Sequence, residues 1–257
     1  GFYRIYAFPW RPQRNKEFLP LTHEEMLERT GGRAPHYAPR DDSTPENCEA
    51  NRSEGEEYLR VVLEAAGSTR LIGEDLGTVP RYVRPSLQSL GIAGFKIPQW
   101  ESTPDGRIIA GKEYQRLSVA TYATHDHKPI RAMWEEALAG EEGASKDQAR
   151  DDLRKIAEFA GVLSLPDAPE FNRDFYAPIL RALFQSEASL AIVMITDLLA
   201  RTDRFNVPGT AAESNWSRRL HMTVARLRRS RAVKERMKLV RSLLQETGRI
   251  EPRMNSD

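Results

Sequence analysis

Arg70-Leu71-Ile72-Gly73-Glu74-Asp75-Leu76-Gly77-Thr78-Val79-Pro80 is the stretch from which the fold can be read. A short β-forming run stops at a glycine. Two carboxylates follow, and Gly77-Thr78-Val79 turns the chain ahead of a proline suited to the first turn of a helix. The same order returns downstream. Ala93 to Ile97 is an apolar run ahead of Pro98-Gln99-Trp100-Glu101. Ser118 to Tyr122 is another, followed by Ala123-Thr124-His125-Asp126-His127. From about Pro129 the period changes, with Ile130, Met133, Trp134 and Ala137 on one helical face. Helices are expected over 147–159 and 175–184. The tail 223–247 is also helical in pattern, with Val233, Met237, Val240 and Leu244 as its stripe. Leu190 to Ile195 fits a strand or a buried helix segment. Strands alternating with helices predict a parallel α/β sheet. In an eight-stranded β/α barrel of that kind, reactive side chains stand where a strand ends and its loop begins.

Upstream, Tyr3 to Trp10 is aromatic and β-rich. Residues 11–52 are polar and carry Pro12, Pro20, Pro35, Pro39 and Pro45. They are expected to form an irregular excursion with one short helix after Thr22, an N-cap residue followed by Glu24, Glu25 and Met26. A helix is expected over Glu56 to Ala66, where Leu59, Val62, Leu63 and Ala66 keep helical spacing.

Composition narrows the function classes. The chain has 257 residues, with 38 Lys+Arg against 37 Asp+Glu, a net charge of +1. That balance argues against a generic polyanion binder. Apolar residues at 40% allow a sizeable core. The single cysteine, Cys48, cannot form an internal disulfide, which suits a reducing cytoplasm. No apolar run approaches the ~20 residues of a membrane span. The chain opens on Gly1 without a signal-peptide pattern, so the N-terminus of the complete protein is expected upstream.

Side chains at strand ends are the candidates for chemistry. Alternation along a strand sends only one of Glu74 and Asp75 to the inner face. A partly desolvated carboxyl there can serve as a general acid; the competing reading is a carboxylate favoured by a helix start. His125-Asp126-His127 lacks the further ligands and cysteines of a structural zinc site, so no metal is expected. It suits a sugar site better: His125 donating to a hydroxyl, Asp126 facing developing positive charge. The alternative is a satisfied histidine beside a helix cap. Trp100 and Trp216 can stack on a sugar ring or serve as packing anchors. Asn206-Val207-Pro208-Gly209-Thr210 and Asn215-Trp216-Ser217-Arg218-Arg219 form a loop rich in amide, indole and guanidinium groups. Arg226, Arg228, Arg229, Arg231, Lys234, Arg236, Lys238 and Arg241 make the tail locally basic. That pattern fits the solvated face of an amphipathic helix, or a patch for a polyanion.

Taken in order, Gly73-Glu74-Asp75-Leu76-Gly77-Thr78-Val79-Pro80, Leu90-Gly91-Ile92-Ala93-Gly94-Phe95-Lys96, Thr124-His125-Asp126 and Asn206-Val207-Pro208-Gly209-Thr210 with Asn215-Trp216 resemble the second half of the 4-α-glucanotransferases. These are also called amylomaltases or disproportionating enzymes. Gly1-Phe2-Tyr3-Arg4-Ile5-Tyr6 with Pro9-Trp10 resembles the segment after that family's fourth barrel strand. The resemblance covers almost the whole chain. It implies that residues 1–257 are the C-terminal part of one (β/α)8 TIM-type barrel, with residues 11–52 an irregular insertion and a C-terminal helix.

It also implies transfer of 4-α-glucanosyl units between α-1,4-glucans by a retaining double displacement. The donor is an α-1,4-glucan or maltooligosaccharide and the acceptor glucose or a maltooligosaccharide. No cofactor, nucleic acid or membrane is implied, and the location is cytoplasmic. Retaining chemistry uses a nucleophile and an acid/base carboxyl about 5–5.5 Å apart. By resemblance Glu74 matches the acid/base, Asp126 the carboxylate that stabilises the transition state, and His125 a sugar-hydroxyl ligand. Trp100, Asn206 and Trp216 are the further substrate-binding candidates. The family's nucleophile, an aspartate in an Arg-x-Asp motif, belongs a few residues ahead of the position of Gly1. The 257 residues alone are therefore expected to be inert. Thr196-Asp197 departs from the glutamine common before the aspartate of the last strand, and residues 11–52 are a second departure. A non-enzymatic module using the basic helix on a polyanion, or a degenerate sugar-binding relative, are the competing functions.

Overall fold

Helix Pro45–Ala66 is the longest element of the N-terminal half. Thr44 caps it by accepting the Asn47 N–H at 3.1 Å, and Pro45 supplies a preset first turn. The apolar periodicity begins only at Glu56, because the first turns bury the polar Asn51 and the small Gly55. The helix therefore starts well ahead of the expected boundary, inside the 11–52 stretch. The structure, a computed structural model, describes residues 1–139, 142–162, 170–210 and 212–250. It divides into two units, Gly1–Gly94 and Phe95–Asp257.

In the first unit the helix expected after Thr22 runs His23–Thr30. Its cap is reciprocal: Glu25 N–H donates to Thr22 Oγ1 at 3.2 Å, and Thr22 N–H donates to Glu25 Oε2 at 2.8 Å. Strands β1 (Ile5–Ala7) and β2 (His36–Ala38) pair antiparallel. Tyr3, Leu59, Val83, Leu87 and Ile92 form the core. Tyr3 Oη donates to Ser86 Oγ at 2.8 Å, and Ser86 Oγ donates to Glu56 Oε1 at 2.7 Å. The strand expected over 70–74 is reduced to one parallel bridge between Ile72 and Ala93. Gly73 N–H donates to Ala93 O at 2.8 Å and Ala93 N–H to Leu71 O at 3.3 Å. The helix expected from Pro80 begins at Val83, because Val83 N–H closes a turn on Pro80 O first.

Strand β3 (Gly94–Lys96) begins at the last residue of the first unit; β4 (Ser118–Ala120) and β5 (Leu190–Ala191) follow it, in the spatial order β3-β4-β5. Strands β4 and β5 are parallel, with Val119 opposite Leu190. Helices Ile130–Ala139, Ala144–Ala160, Ala177–Gln185 and Arg231–Glu246 supply the core with Trp134, Leu153, Ile156, Leu183 and Leu243. Of the run 190–195 only Leu190–Ala191 is strand, and a short helix, Ile195–Leu198, begins at its last residue. The tail splits at Ser230 into Val224–Arg229 and Arg231–Glu246. Ser230 has extended backbone and accepts the Val233 N–H at 3.4 Å, so it ends one helix and caps the next. Most of the basic tail residues are exposed; Arg236 lies 4.2 Å over the Tyr176 ring. Among the described residues no helix is long and apolar enough to cross a membrane.

Candidate active site

The two carboxylates after Ile72 separate as strand alternation requires. Asp75 is buried at 5% exposure and pairs with Arg84 Nε at 3.0 Å. Gly94 makes room for it, since a Cβ there would sit 2.7 Å from Asp75 Oδ2. Glu74 points the other way, exposed, on the wall of a cleft of about 520 Å³ formed within the first unit by Tyr3, Leu71, Ile72 and Val83 among others. The desolvation expected of Glu74 therefore falls on Asp75. The physical reason is the close Gly94 backbone and the Arg84 guanidinium, which shelter and neutralise the second carboxylate.

The second unit gathers the other five candidates. Strand β4 delivers the chain to a tight turn, Thr124 to His127, closed by His127 N–H donating to Thr124 O at 3.1 Å. His125 and Asp126 occupy its corner. Asp126 Oδ1 accepts from Asn206 Nδ2 at 2.5 Å and lies 3.2 Å from His125 Nε2. Arg204 donates to the Asp126 backbone oxygen at 2.6 Å and to Asn206 O at 2.9 Å, locking the two loops together. The carboxylate stays about a third exposed, so a ligand can reach it.

The loop 205–216 is built to hold Asn206 and Trp216. Val207 N–H donates to Asn215 Oδ1 at 3.1 Å, and Asn215 Nδ2 donates to Thr210 O at 3.0 Å. Gly209, at φ 74°, takes the left-handed position that the Pro208-Gly209 turn needs. Trp216 N–H donates to Phe205 O at 2.9 Å, and Trp216 itself has φ 62°. Its indole is 59% exposed and its ring centre lies 5.0 Å from that of His125. Trp100 is held at the end of a short 3-10 turn, Pro98–Trp100, anchored by Gln99 Nε2 donating to Tyr122 O at 2.7 Å. It is 50% exposed, 4.6 Å from the His127 ring. Neither tryptophan is a core anchor. Two exposed indoles, an imidazole and a partly exposed carboxylate thus stand on the loops of the second unit, around the turn that follows β4.

Residues 1–224 match the family model described as 4-alpha-glucanotransferase. The chain belongs to that family. A 4-alpha-glucanotransferase of Chlamydia pneumoniae is 30% identical over 195 residues, which is 71% of this chain and 34% of the relative. The rice 4-alpha-glucanotransferase DPE2 is 28% identical over 155 residues, 59% of this chain and 16% of that protein. Among solved structures, amylomaltase from Streptococcus agalactiae in complex with acarbose superposes with a TM-score of 0.53 at 20% identity, covering 83% of this chain and 36% of that one. Amylomaltase from Corynebacterium glutamicum also gives 0.53, at 22% identity, covering 71% and 30%. The family member thus has an α/β fold of the TIM-barrel type that amylomaltases share. It spans about a third of the length of the first curated relatives it matches.

Three residues outside the predicted set shape the site. Arg204 stands two residues before Asn206, and nothing in sequence spacing ties it to the Asp126 backbone. His127 lies three residues after Thr124, a turn spacing that could have marked it. Asp197 is buried, and its Oδ1 accepts the Ile130 N–H at 2.8 Å. That bond anchors the helix that continues from the 124–127 turn.

Proposed function

We propose that the chain contributes to 4-α-glucanosyl transfer between α-1,4-glucans, with Glu74 as acid/base and Asp126 as the carboxylate that stabilises the oxocarbenium-like transition state. The supporting observation is the Asp126 constellation: a partly exposed carboxylate held at 2.5 Å by Asn206, beside His125 and the exposed Trp216 ring. Family membership supplies the reaction class. Residues 1–257 are read as the C-terminal part of one (β/α)8 catalytic barrel, with 11–52 an insertion within it. The nucleophile is assigned to no residue of this chain.

In this reading Glu74 protonates the departing glycosidic oxygen while the glucanosyl carbon passes to an aspartate supplied from outside these residues. Glu74 then takes the proton from the acceptor 4-hydroxyl as the new glycosidic bond forms, restoring both carboxyls. Asp126 opposes the positive charge that develops on the ring in both steps. His125 and Asn206 bind hydroxyls. Trp100 and Trp216 hold the acceptor so that it outcompetes water. The donor is an α-1,4-glucan or maltooligosaccharide and the acceptor glucose or a maltooligosaccharide, no cofactor takes part, and the single free cysteine suits a cytoplasmic location.

The test is disproportionation of maltotriose by the longest in-frame polypeptide that contains these residues. Glu74→Gln and Asp126→Asn are each expected to lower kcat by about a hundredfold or more while the fold is kept. Unchanged turnover in Glu74→Gln removes that residue from its role. Maltooligosaccharide binding without turnover in the unsubstituted protein favours a degenerate sugar-binding relative.

A further inference from the structure

The 124–127 turn is closed twice. His127 N–H donates to Thr124 O at 3.1 Å, and Thr124 N–H donates back to His127 Nδ1 at 2.9 Å. A backbone amide can only donate, so Nδ1 must carry its lone pair and the ring proton must sit on Nε2. The Thr124 hydroxyl, also 2.9 Å from Nδ1, adds a second donor to the same nitrogen. Nε2 is buried and has no hydrogen-bond acceptor among the described residues. The ring in contact with the imidazole is Trp100, 4.6 Å away and tilted by 44°. The imidazole thus spends one nitrogen on holding the turn and its body on backing an exposed indole.

We propose that His127 is a positioning residue: its neutral imidazole closes the turn that presents His125 and Asp126 and backs the Trp100 face, and protonation opens the turn. A proton can enter only at Nδ1, where it would meet the Thr124 N–H head-on. The charged groups facing His127 are Asp126 on its own turn, which favours the imidazolium, and Arg204 and His125, which oppose it. Burial is the largest influence and, acting with Arg204 and His125, outweighs what favours the imidazolium; the ring is held below the ordinary histidine range, so the closed turn is the neutral-pH state. Below that range the turn loses its second closure, and the presentation of Asp126 becomes acid-labile. What the turn presents to a sugar rests on the function proposed above; the closure itself does not.

Two variants separate the roles of the two nitrogens. In His127→Asn the side-chain oxygen replaces Nδ1 as acceptor for Thr124 N–H. In His127→Gln a longer amide puts its polar end near Nε2 and leaves that N–H unmet. Histidine 15N and 1H spectra of the intact protein, titrated from pH 8 to 5, read the tautomer and the Thr124 amide. We expect an unprotonated Nδ1 at pH 8 and loss of Thr124 amide protection as the ring charges. Protection should be retained without pH dependence in His127→Asn, and Thr124 exchange should be about tenfold faster in His127→Gln at every pH. Maltoheptaose, as the probe, should bind His127→Asn within about threefold of the parent and His127→Gln about tenfold more weakly. An Nδ1–H tautomer at pH 8, or a Thr124 amide equally protected in both variants, overturns the proposal. So does equal maltoheptaose affinity in the two variants when the parent binds it. If His127→Gln does not fold, the titration of the parent against His127→Asn decides alone. If the parent binds no maltoheptaose, the sugar reading fails while the titration still judges the turn.

Discussion

The buried carboxyl of Asp197 ties folding stability to pH. Its one backbone donor, Ile130 N–H, favours the anion, but burial wins and pushes it from near 3.8 up to about 7. The folded state therefore binds a proton more tightly than the unfolded chain between those two values. Its contribution to stability is full below the ordinary carboxyl range and is lost as pH rises through about 7. Asp197→Asn keeps an oxygen for Ile130 N–H and carries no charge at any pH. Relative to the parent, this variant should gain stability from pH 5 to about pH 7 and level off above that, by a few kcal/mol in order of magnitude. Denaturant unfolding at the two pH values measures it, and a parallel pair of curves would show that Asp197 stays ionised throughout. Residue identity was legible at this scale: His125, Asp126, Asn206 and Trp216 were all candidates and are in contact. Arg204 was not, because a guanidinium bonded to a backbone oxygen 78 positions away leaves no local pattern.

At the scale of elements, helix Pro45–Ala66 shows how packing reverses a propensity. A glycine inside an exposed helix normally costs about 1 kcal/mol relative to alanine. At Gly55 the added Cβ would fall 2.4 Å from Tyr3 Cδ1 and 3.0 Å from the Tyr3 Cα. Tyr3 is a core residue held through Ser86 and Glu56, so it cannot swing aside without breaking those bonds. Gly55→Ala is therefore expected to destabilise the chain by about 1–3 kcal/mol, read as a lower unfolding midpoint, where propensity alone predicts a gain. The same helix explains where element boundaries escaped the sequence. Its first turns bury Asn51 and Gly55, and an apolar stripe cannot report polar or side-chain-free contact surfaces. By contrast the start of the helix after Thr22 was legible to the residue, because its Thr22 and Glu25 cap is local chemistry.

At the scale of the molecule, the proposed role leaves the nucleophile assigned to no residue of this chain. The 257-residue chain by itself is expected to release no glucose from maltotriose above background, because loss of a catalytic nucleophile generally costs many orders of magnitude. A glucose-release assay of the purified chain checks this, and turnover would mean that a carboxylate within it serves as the nucleophile. Sequence by itself determined the α/β alternation, the family, and the residue types at the strand ends, because each rests on local periodicity or a short motif. Tertiary structure decided the rest. It placed Asp75 against Gly94 and Arg84 and left Glu74 exposed, joined Arg204 and Asn206 to the Asp126 turn, and buried Asp197 under the helix that follows that turn. Those outcomes depend on burial and on partners far along the chain, and burial is a property that a residue acquires only when the chain has packed.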